Sequence, residues 1–361
     1  MGAGLAGLAC AITLEQMGIE PAIFEDRRQV EDRFVNGEIF LSILDRPIYD
    51  PVAYLSEEHN IYITPAANIR KLVLFGPTEK ATITGHLGFT NIRGRHKDSL
   101  GKKLVEQVNS QINFGSTKRY EELQREYTHV VLATGDASYT QRIQDYQQDL
   151  TVTLKGATVE GDFDRYTVAA WLDYNLANQG YCYFIPYSQK EANIVLGLPN
   201  YPVNENTDLD QLWEKFYQRA CKDLGQDLRI TDRFQITKYI IGVCEYPRIG
   251  NTFFVGNCFG SIMPFLGFGQ LLALLTGIYA AHDIAGQGHY EELTKPLRSS
   301  YQNSLVLRRY LEGFSNESLD KLISKLDTSL GNKIFNLKHF DSLKVISKIL
   351  APFVNEDKKQ S

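Results

Sequence analysis

Cysteine is scarce and unpatterned in this chain. Cys10, Cys182, Cys221, Cys244 and Cys258 are odd in number, scattered over 361 residues and never in C-x-x-C spacing. That excludes a disulfide framework or a thiolate zinc site as the expectation, and a reduced, cytosolic protein with no metal site is the simplest account. Excess positive charge is absent too: the net charge of -5 argues against general nucleic-acid binding. There are no internal repeats and no low-complexity tracts. The chain opens on glycines instead of a basic region followed by an apolar one, so no secretory signal is expected. One long uncharged run, Ile262 to Ala281, reaches membrane-spanning length, but Pro264, Gly267 and Gly269 break its start. A buried helix from about Gln270 is expected there.

What is present is an ordinary globular composition, 43% hydrophobic and 22% charged, over a length that suits two domains or one elaborated domain. Charge is unevenly spread: from Lys295 onward 12 Lys/Arg stand against 7 Asp/Glu. This basic region reads first as a solvated helical face, with an acidic partner or peripheral membrane contact as the alternative. Within it, Lys338 to Val354 places Phe340, Leu343, Ile346, Leu350 and Phe353 on one stripe, read as core packing ahead of membrane contact.

The stretch Met1 to Arg27 organises the rest. Gly2, Gly4 and Gly7 form G-x-G-x-x-G and run into an apolar helical segment, a turn at Met17-Gly18, and an extended run ending in Glu25. That is the turn, helix and second strand of a dinucleotide-binding unit. The first glycine permits the tight turn, the second lets a pyrophosphate approach the backbone, and the third lets helix and strand pack closely. The helix N-terminus offers N–H groups to phosphates, and Glu25 offers a carboxylate to ribose hydroxyls. Such a unit is expected to begin with a buried strand of about five or six residues leading into the first glycine, and here only Met1 precedes Gly2. Two expectations stand: the sequence lacks its true start, or the protein has lost part of a cofactor fold.

Along the chain, Val35 to Glu38 reads as a turn, and Asn60 to Thr64 as an extended run. Arg70 to Phe75 and Lys80 to Gly85 read as a β-hairpin. Leu87 to Arg95 is extended, and a helix follows with Asp98 as its N-cap. A buried strand from Tyr127 finishes in Ala133, Thr134 and Gly135, small residues that leave room for a ligand at the sheet's edge. Residues 151–198 alternate strands and hairpin breaks, Leu209 to Leu224 is an amphipathic helix, and Phe234 to Cys244 is extended. Another buried strand from Asn251 leads into a loop with Gly256, Gly260, Pro264, Gly267 and Gly269, then the apolar helix Gln270 to Ile284.

With these pieces in order, the chain resembles the FAD-dependent oxidoreductases of the geranylgeranyl reductase family, within the group sharing the para-hydroxybenzoate hydroxylase fold. The resemblance is carried by Gly2 to Gly7 with Glu25, by Ala133-Thr134-Gly135, and by Val255 to Gly269, similar to the family's G-D-A-A-G-x-x-x-P-x-x-G-x-G. A fourth stretch, Gly180 to Pro186, is similar to the reductases' G-Y-x-W-x-F-P. It implies an α/β fold: a Rossmann-like FAD-binding domain from residues 1–59, 85–137 and 245–294, an inserted mixed β-sheet substrate domain from 60–84 and 138–244, and a helical C-terminal region, 295–361.

The resemblance further implies FAD contacts from Gly2, Gly4, Gly7, Glu25, Arg93, Ala133, Thr134, Gly135, Gly256, Asn257, Pro264, Gly267 and Gly269. Tyr181, Tyr183, Phe184 and Pro186 are implied to line the substrate side. Asn257 stands where the family has aspartate, and Tyr183 where the reductases usually have tryptophan. The implied activity is reduction of carbon–carbon double bonds of an isoprenoid or other apolar substrate by hydride from reduced flavin, with no catalytic proton donor identified. No second G-x-G-x-x-G is present, so NAD(P)H or an electron-donor protein is the expected reductant. A flavin-dependent aromatic hydroxylase and a non-catalytic descendant that binds a lipid or protein partner stand as alternatives.

Overall fold

In a computed structural model, which describes residues 1–337, 341 and 343–348, the glycine motif opens onto helix α1 (Leu5–Gln16). This helix is apolar on nearly every side and is buried accordingly, from Leu5 through Leu14 on all faces except at Gly7. Then follow β1 (Ile23–Phe24), β2 (Asn36–Leu41), α2 (Pro51–His59), β3 (Ala67–Phe75), β4 (Lys80–Arg93), α3 (Leu100–Val105), β5 (Ile112–Asn113), α4 (Tyr120–Glu126) and β6 (Val130–Leu132). The middle of the chain supplies β7 (Tyr146–Glu160), β8 (Thr167–Trp171), β9 (Tyr181–Pro186), β10 (Glu191–Pro199), α5 (Leu209–Leu224) and β11 (Arg229–Cys244). The last third gives β12 (Arg248–Ile249), β13 (Thr252–Phe254), α6 (Gln270–Ile284), α7 (Tyr290–Glu312), α8 (Asn316–Leu326) and α9 (Ser329–Asn336).

Three sheets form. Eight strands in the order β11-β7-β10-β9-β8-β3-β4-β2 make one large mixed sheet, antiparallel except where β3 meets β8. The parallel pair β1-β5 and the sheet β12-β13-β6 are small. Between them lies the place of the expected inner strand, and the main chain of residues 1 and 2 hydrogen-bonds to both sides. The Gly2 N–H donates to the Phe24 carbonyl at 2.7 Å, the Ala133 N–H donates to the Met1 carbonyl at 2.8 Å, and the Met1 amino group donates to the Val131 carbonyl at 2.9 Å.

The core has two main parts. One gathers α1, α6 and the small sheets, and the other packs α5, through Trp213, Phe216 and Ala220, on Trp171, Phe184 and Ile194 of the large sheet. Helices α1 and α6 cross backbone to backbone: a Cβ at Gly277 would stand 2.0 Å from the Ala6 carbonyl oxygen.

Several expectations are corrected. Val35 to Glu38 holds no turn; β2 starts at Asn36 and pairs with β4 from Asn36↔Arg93 onward, so the ladder outweighs the local preference of Asn-Gly. Residues 60–64 form no strand: Asn60 is the left-handed C-cap of α2, and Ile61 and Ile63 after it are buried. The N-cap of α3 is Ser99, not Asp98, and no side chain caps it. The boundary expected between residues 84 and 85 does not interrupt the sheet, because β4 runs unbroken from Lys80 to Arg93 and β2 joins the same sheet. No helix among the described residues is long and apolar enough to cross a membrane. Most of the Lys338 to Val354 stripe, with Phe340, Leu350 and Phe353, lies outside the described residues.

Candidate functional site

The glycines divide by what surrounds them. Gly2 has φ +102°, a conformation that L side chains rarely adopt, and a Cβ there would sit 2.2 Å from the Ala133 carbonyl oxygen. A Cβ at Gly7 would meet the Gly2 oxygen at 2.1 Å, so these two glycines are required by packing. Gly4 differs: a Cβ there would meet nothing within 4 Å. It is the N-cap of α1, its side lies open to a cavity of about 1210 Å³, and no side chain caps the helix. The first-turn N–H groups are thus left to a ligand.

Glu25 closes this end. Its Oε2 accepts from the Ala3 N–H at 2.7 Å and its Oε1 from the Arg27 N–H at 3.1 Å. Burial, and after it the neighbouring Asp26, pushes the carboxyl above its ordinary range. Each carboxylate oxygen keeps a further acceptor site for a hydroxyl.

In the middle of the cavity, Thr134, Gly135, Gly256 and Asn257 line one wall. Ala133 underlies Gly2 and Gly7, and Thr134 Oγ1 lies 3.1 Å from Cys258 Sγ. Asn257 ties the two loops together. Its Nδ2 donates to the Gly135 carbonyl at 2.8 Å and to Tyr239 Oη at 2.5 Å, while its Oδ1 accepts from Ser261 Oγ at 2.9 Å. An ionised aspartate here could not donate to Gly135, so the contact needs the amide of asparagine.

Beyond it the cavity meets a partly buried ion network. Arg93 Nε donates to Glu31 Oε1 at 2.6 Å and its Nη1 to Glu38 Oε2 at 3.2 Å. Arg33 Nη2 donates to Glu38 Oε1 at 2.9 Å, and Gln270 Nε2 donates to Glu38 Oε2 at 2.5 Å. Burial alone would raise the Glu38 carboxyl, but the Arg93 and Arg33 cations and the Gln270 and Asn36 bonds bring it down to about 2. Burial would lower Arg93, and Glu31 and Glu38 more than reverse that. Gln270 is the first residue of α6, whose N-cap Gly269 brings no side-chain cap, so a second helix N-terminus faces the same cavity. Gly267 presents open space beside it, and Pro264 lines the approach.

The remaining walls come from the large sheet. Tyr181 and Tyr183, two apart on β9, share its cavity face, with ring centroids 5.8 Å apart. The Tyr181 hydroxyl donates to the Leu266 carbonyl at 2.5 Å. Phe184 and Pro186 are not among the lining residues: strand alternation turns Phe184 into the core, edge-on to Phe163 at 5.2 Å, and Pro186 with it. Leu150, Val152, Leu154, Ile236 and Ile241 add an apolar wall from β7 and β11, and Phe34 stacks on Phe234 at 4.2 Å and 11° at its edge. Sequence reasoning missed Glu31, Arg33, Glu38, Tyr239, Gln270 and Arg308. For Gln270 the signal was available, since it opens the helix after the glycine loop; Arg308 carries no local pattern at all.

No group of three or more potential metal ligands occurs among the described residues. The groups that do converge, the N–H donors of two uncapped helix N-termini, an open glycine and an accepting carboxylate, fit a dinucleotide. The cavity also exceeds the roughly 300–1,000 Å³ of ordinary small-molecule sites.

No family model matches this sequence, and no curated protein matches it. Solved structures do match. A geranylgeranyl bacteriochlorophyll reductase-like protein from Thermoplasma acidophilum superposes with TM-score 0.69 at 15% identity, covering 97% of each chain. The flavin-dependent brominase Bmp2 gives TM-score 0.69 at 14% identity over 100% of this chain and 98% of that one. The flavin-dependent monooxygenase PieE, solved in complex with FAD and substrate, gives 0.59 at 14% identity over 94% of this chain and 69% of that one. With its glycine loop, its two helix ends and its large mixed sheet, this chain shares the fold of these proteins.

Proposed function

We propose that the protein is an FAD-dependent oxidoreductase that reduces carbon–carbon double bonds of an isoprenoid or other apolar substrate, drawing electrons from NAD(P)H or a protein donor. The observation that carries this reading is the convergence of the α1 and α6 N-termini on one cavity whose other half is walled by apolar strand residues. On this reading Gly4 and the α1 N-terminus hold the pyrophosphate, Glu25 the adenosine ribose, and the Gly267 to Gly269 loop with Gln270 the ring end. When bound, the flavin supplies the two electrons as a hydride.

The chain's own part is to bind, orient and exclude water. The apolar β7 and β11 side chains keep the substrate half dry. Burial raises the Tyr181 and Tyr183 phenols above their ordinary range, so both keep their protons, that of Tyr181 on the Leu266 carbonyl. The Glu31–Arg93–Glu38–Arg33 network is internally neutral, with two cations against two anions, and fixes Gln270 at the helix end.

The test is the visible spectrum of the full chain mixed with FAD and freed of excess cofactor. Retained flavin bands near one per chain are expected. Folded protein that retains none sinks this reading and favours a non-catalytic binding role. The likeness to a brominase, as close as that to the reductase-like protein, supports a second reading in which reduced flavin reacts with oxygen. Stoichiometric peroxide release under air, without alkene reduction, favours that one.

A further inference from the structure

Beside Tyr181, a buried guanidinium lines the cavity among apolar and aromatic side chains. Arg308, on α7, is only 4% exposed and lines the cavity beside Gly180, Tyr181 and Leu266. Its guanidinium is held on three sides. Nε donates to Glu312 Oε1 at 2.8 Å, Nη2 donates to the Gln179 carbonyl at 2.7 Å, and the guanidinium carbon stands 5.5 Å from the Tyr201 ring centroid. One turn earlier, Ser304 Oγ accepts from the Phe265 N–H at 2.9 Å, so α7 presents Arg308 at the flank of the glycine-rich loop.

Among the described residues, Glu312 is the one carboxylate within ion-pair distance of Arg308, and Arg309 shares it, with Nη1 3.1 Å from Glu312 Oε2. Arg309 also lies in the field of the Asp149 carboxylate, whereas Arg308 has its share of Glu312 at the edge of a low-dielectric cavity. A buried charge is costly unless paired, and a guanidinium fork is suited to a planar carboxylate.

We propose that Arg308 recognises a carboxylate head group on an apolar chain that lies along the Leu150, Val152 and Leu154 wall. The planar guanidinium fork matches one carboxylate. This rests on the reading of the cavity as the site of an apolar substrate, and it adds to that substrate a terminal acid and the residue that selects it.

A fluorescent fatty-acid analogue is bound to the FAD-supplemented full chain and displaced by a long-chain fatty acid or by the alcohol of the same chain length. The acid is expected to bind at least about tenfold more tightly, the advantage of one charge-assisted hydrogen-bonded pair. Arg308→Met is expected to abolish the preference, and Glu312→Gln, which removes the competing carboxylate, to widen it. Equal binding of acid and alcohol, or a preference that survives Arg308→Met, overturns the proposal and leaves the apolar-substrate reading standing. No binding of either amphiphile overturns both. Should Arg308→Met fail to fold, Glu312→Gln decides alone: an unchanged or narrowed preference overturns the proposal.

Discussion

Glu38 and Gln270 are 232 positions apart in sequence, yet Gln270 Nε2 donates to Glu38 Oε2 at 2.5 Å. The bond joins β2, a strand of the large sheet, to the first residue of α6, which follows the glycine-rich loop. It therefore couples the sheet half of the molecule to the helix end that the proposed cofactor needs. Arg93 and Arg33 complete the joint, and Asn91 Nδ2 donates to Gln270 Oε1 at 2.9 Å.

Replacing this carboxylate has a calculable sign. Glu38 is held down at about 2 in the folded protein, against an ordinary value near 4.5. Its stabilising contribution is therefore complete above about pH 4.5 and is lost as pH falls toward 2. Glu38→Gln is expected to cost on the order of 2 kcal/mol at neutral pH, because it leaves Arg93 and Arg33 under-compensated in a partly buried site. Chemical denaturation across that pH range checks this: the variant's deficit should shrink on acidification, and a deficit independent of pH rejects the linkage.

Asp45 behaves in the opposite sense. Burial pushes its carboxyl up to about 7, and its Oδ2 is sealed with no hydrogen-bond partner among the described residues. Between about pH 4 and 7 the unfolded chain has released this proton while the folded chain retains it, so stability falls as pH rises. Asp45→Asn is expected to flatten that slope and to be more stable than the parent at neutral pH. Thermal unfolding at pH 5 and pH 7.5 measures the difference; parallel shifts in parent and variant would falsify the assignment.

The glycine loop separates binding from folding. Gly4→Ala adds a methyl group into open cavity space, whereas Gly7→Ala drives one to 2.1 Å from the Gly2 oxygen. The first variant is expected to keep the parent's unfolding temperature and to bind FAD at least about tenfold more weakly, through lost approach of the pyrophosphate. The second is expected to lose several kcal/mol, as overpacking against fixed backbone does. Equal FAD affinity in Gly4→Ala and parent would remove Gly4 from the site.

How much of this was legible follows from where the information lies. The bounds of α5 and α6 could be read because their signals are local, an amphipathic period in one and a glycine-and-proline break followed by an apolar run in the other. The hairpin of β3 and β4 was legible for the same reason. Strand β2 was not, since Asn36-Gly37 favours a turn and only pairing with β4 makes it extended. Glu38 went unnoticed with it. Phe184 and Pro186 were placed with Tyr181 and Tyr183 by motif, although a strand's alternation sends them to the other face. Arg308 reaches the cavity solely through the docking of α7, which no short-range pattern announces.

Asn257 offers a test of the one change in the glycine-rich loop that exchanges an acid for an amide. Asn257→Asp would set a carboxylate 2.8 Å from the Gly135 carbonyl oxygen, replacing a hydrogen bond with repulsion. A loss of about 1–2 kcal/mol is expected, together with freer motion between the two loops. Amide hydrogen exchange over 133–137 and 255–261 should accelerate in the variant, and unchanged exchange there would show that the clasp is unimportant.

At the outer edge of β4, residues 80–84 have β3 on one side and no strand among the described residues on the other. Side chains from α8, its C-cap Asp327 and α9 take the place of a neighbouring strand. Asp327 Oδ1 accepts from the Thr82 N–H and Asn332 Oδ1 from the Thr84 N–H, both at 2.9 Å. Asn336 Nδ2 donates to the Thr84 carbonyl at 2.9 Å, and Asp320 Oδ1 accepts from the Thr78 and Glu79 N–H groups at 3.1 and 3.0 Å. The spacing of two along the strand is that of a ladder, so the helices satisfy outward-facing backbone groups that would otherwise invite another chain. Asp327→Ala is expected to cost about 1 kcal/mol, whereas Asp327→Asn, which keeps an acceptor oxygen, costs less. Removing residues 315–361 uncovers the whole edge and should raise concentration-dependent self-association above that of the full chain, measured by light scattering. A truncated protein that scatters like the full chain would mean that the edge is protected by its own twist and that the helices serve another purpose.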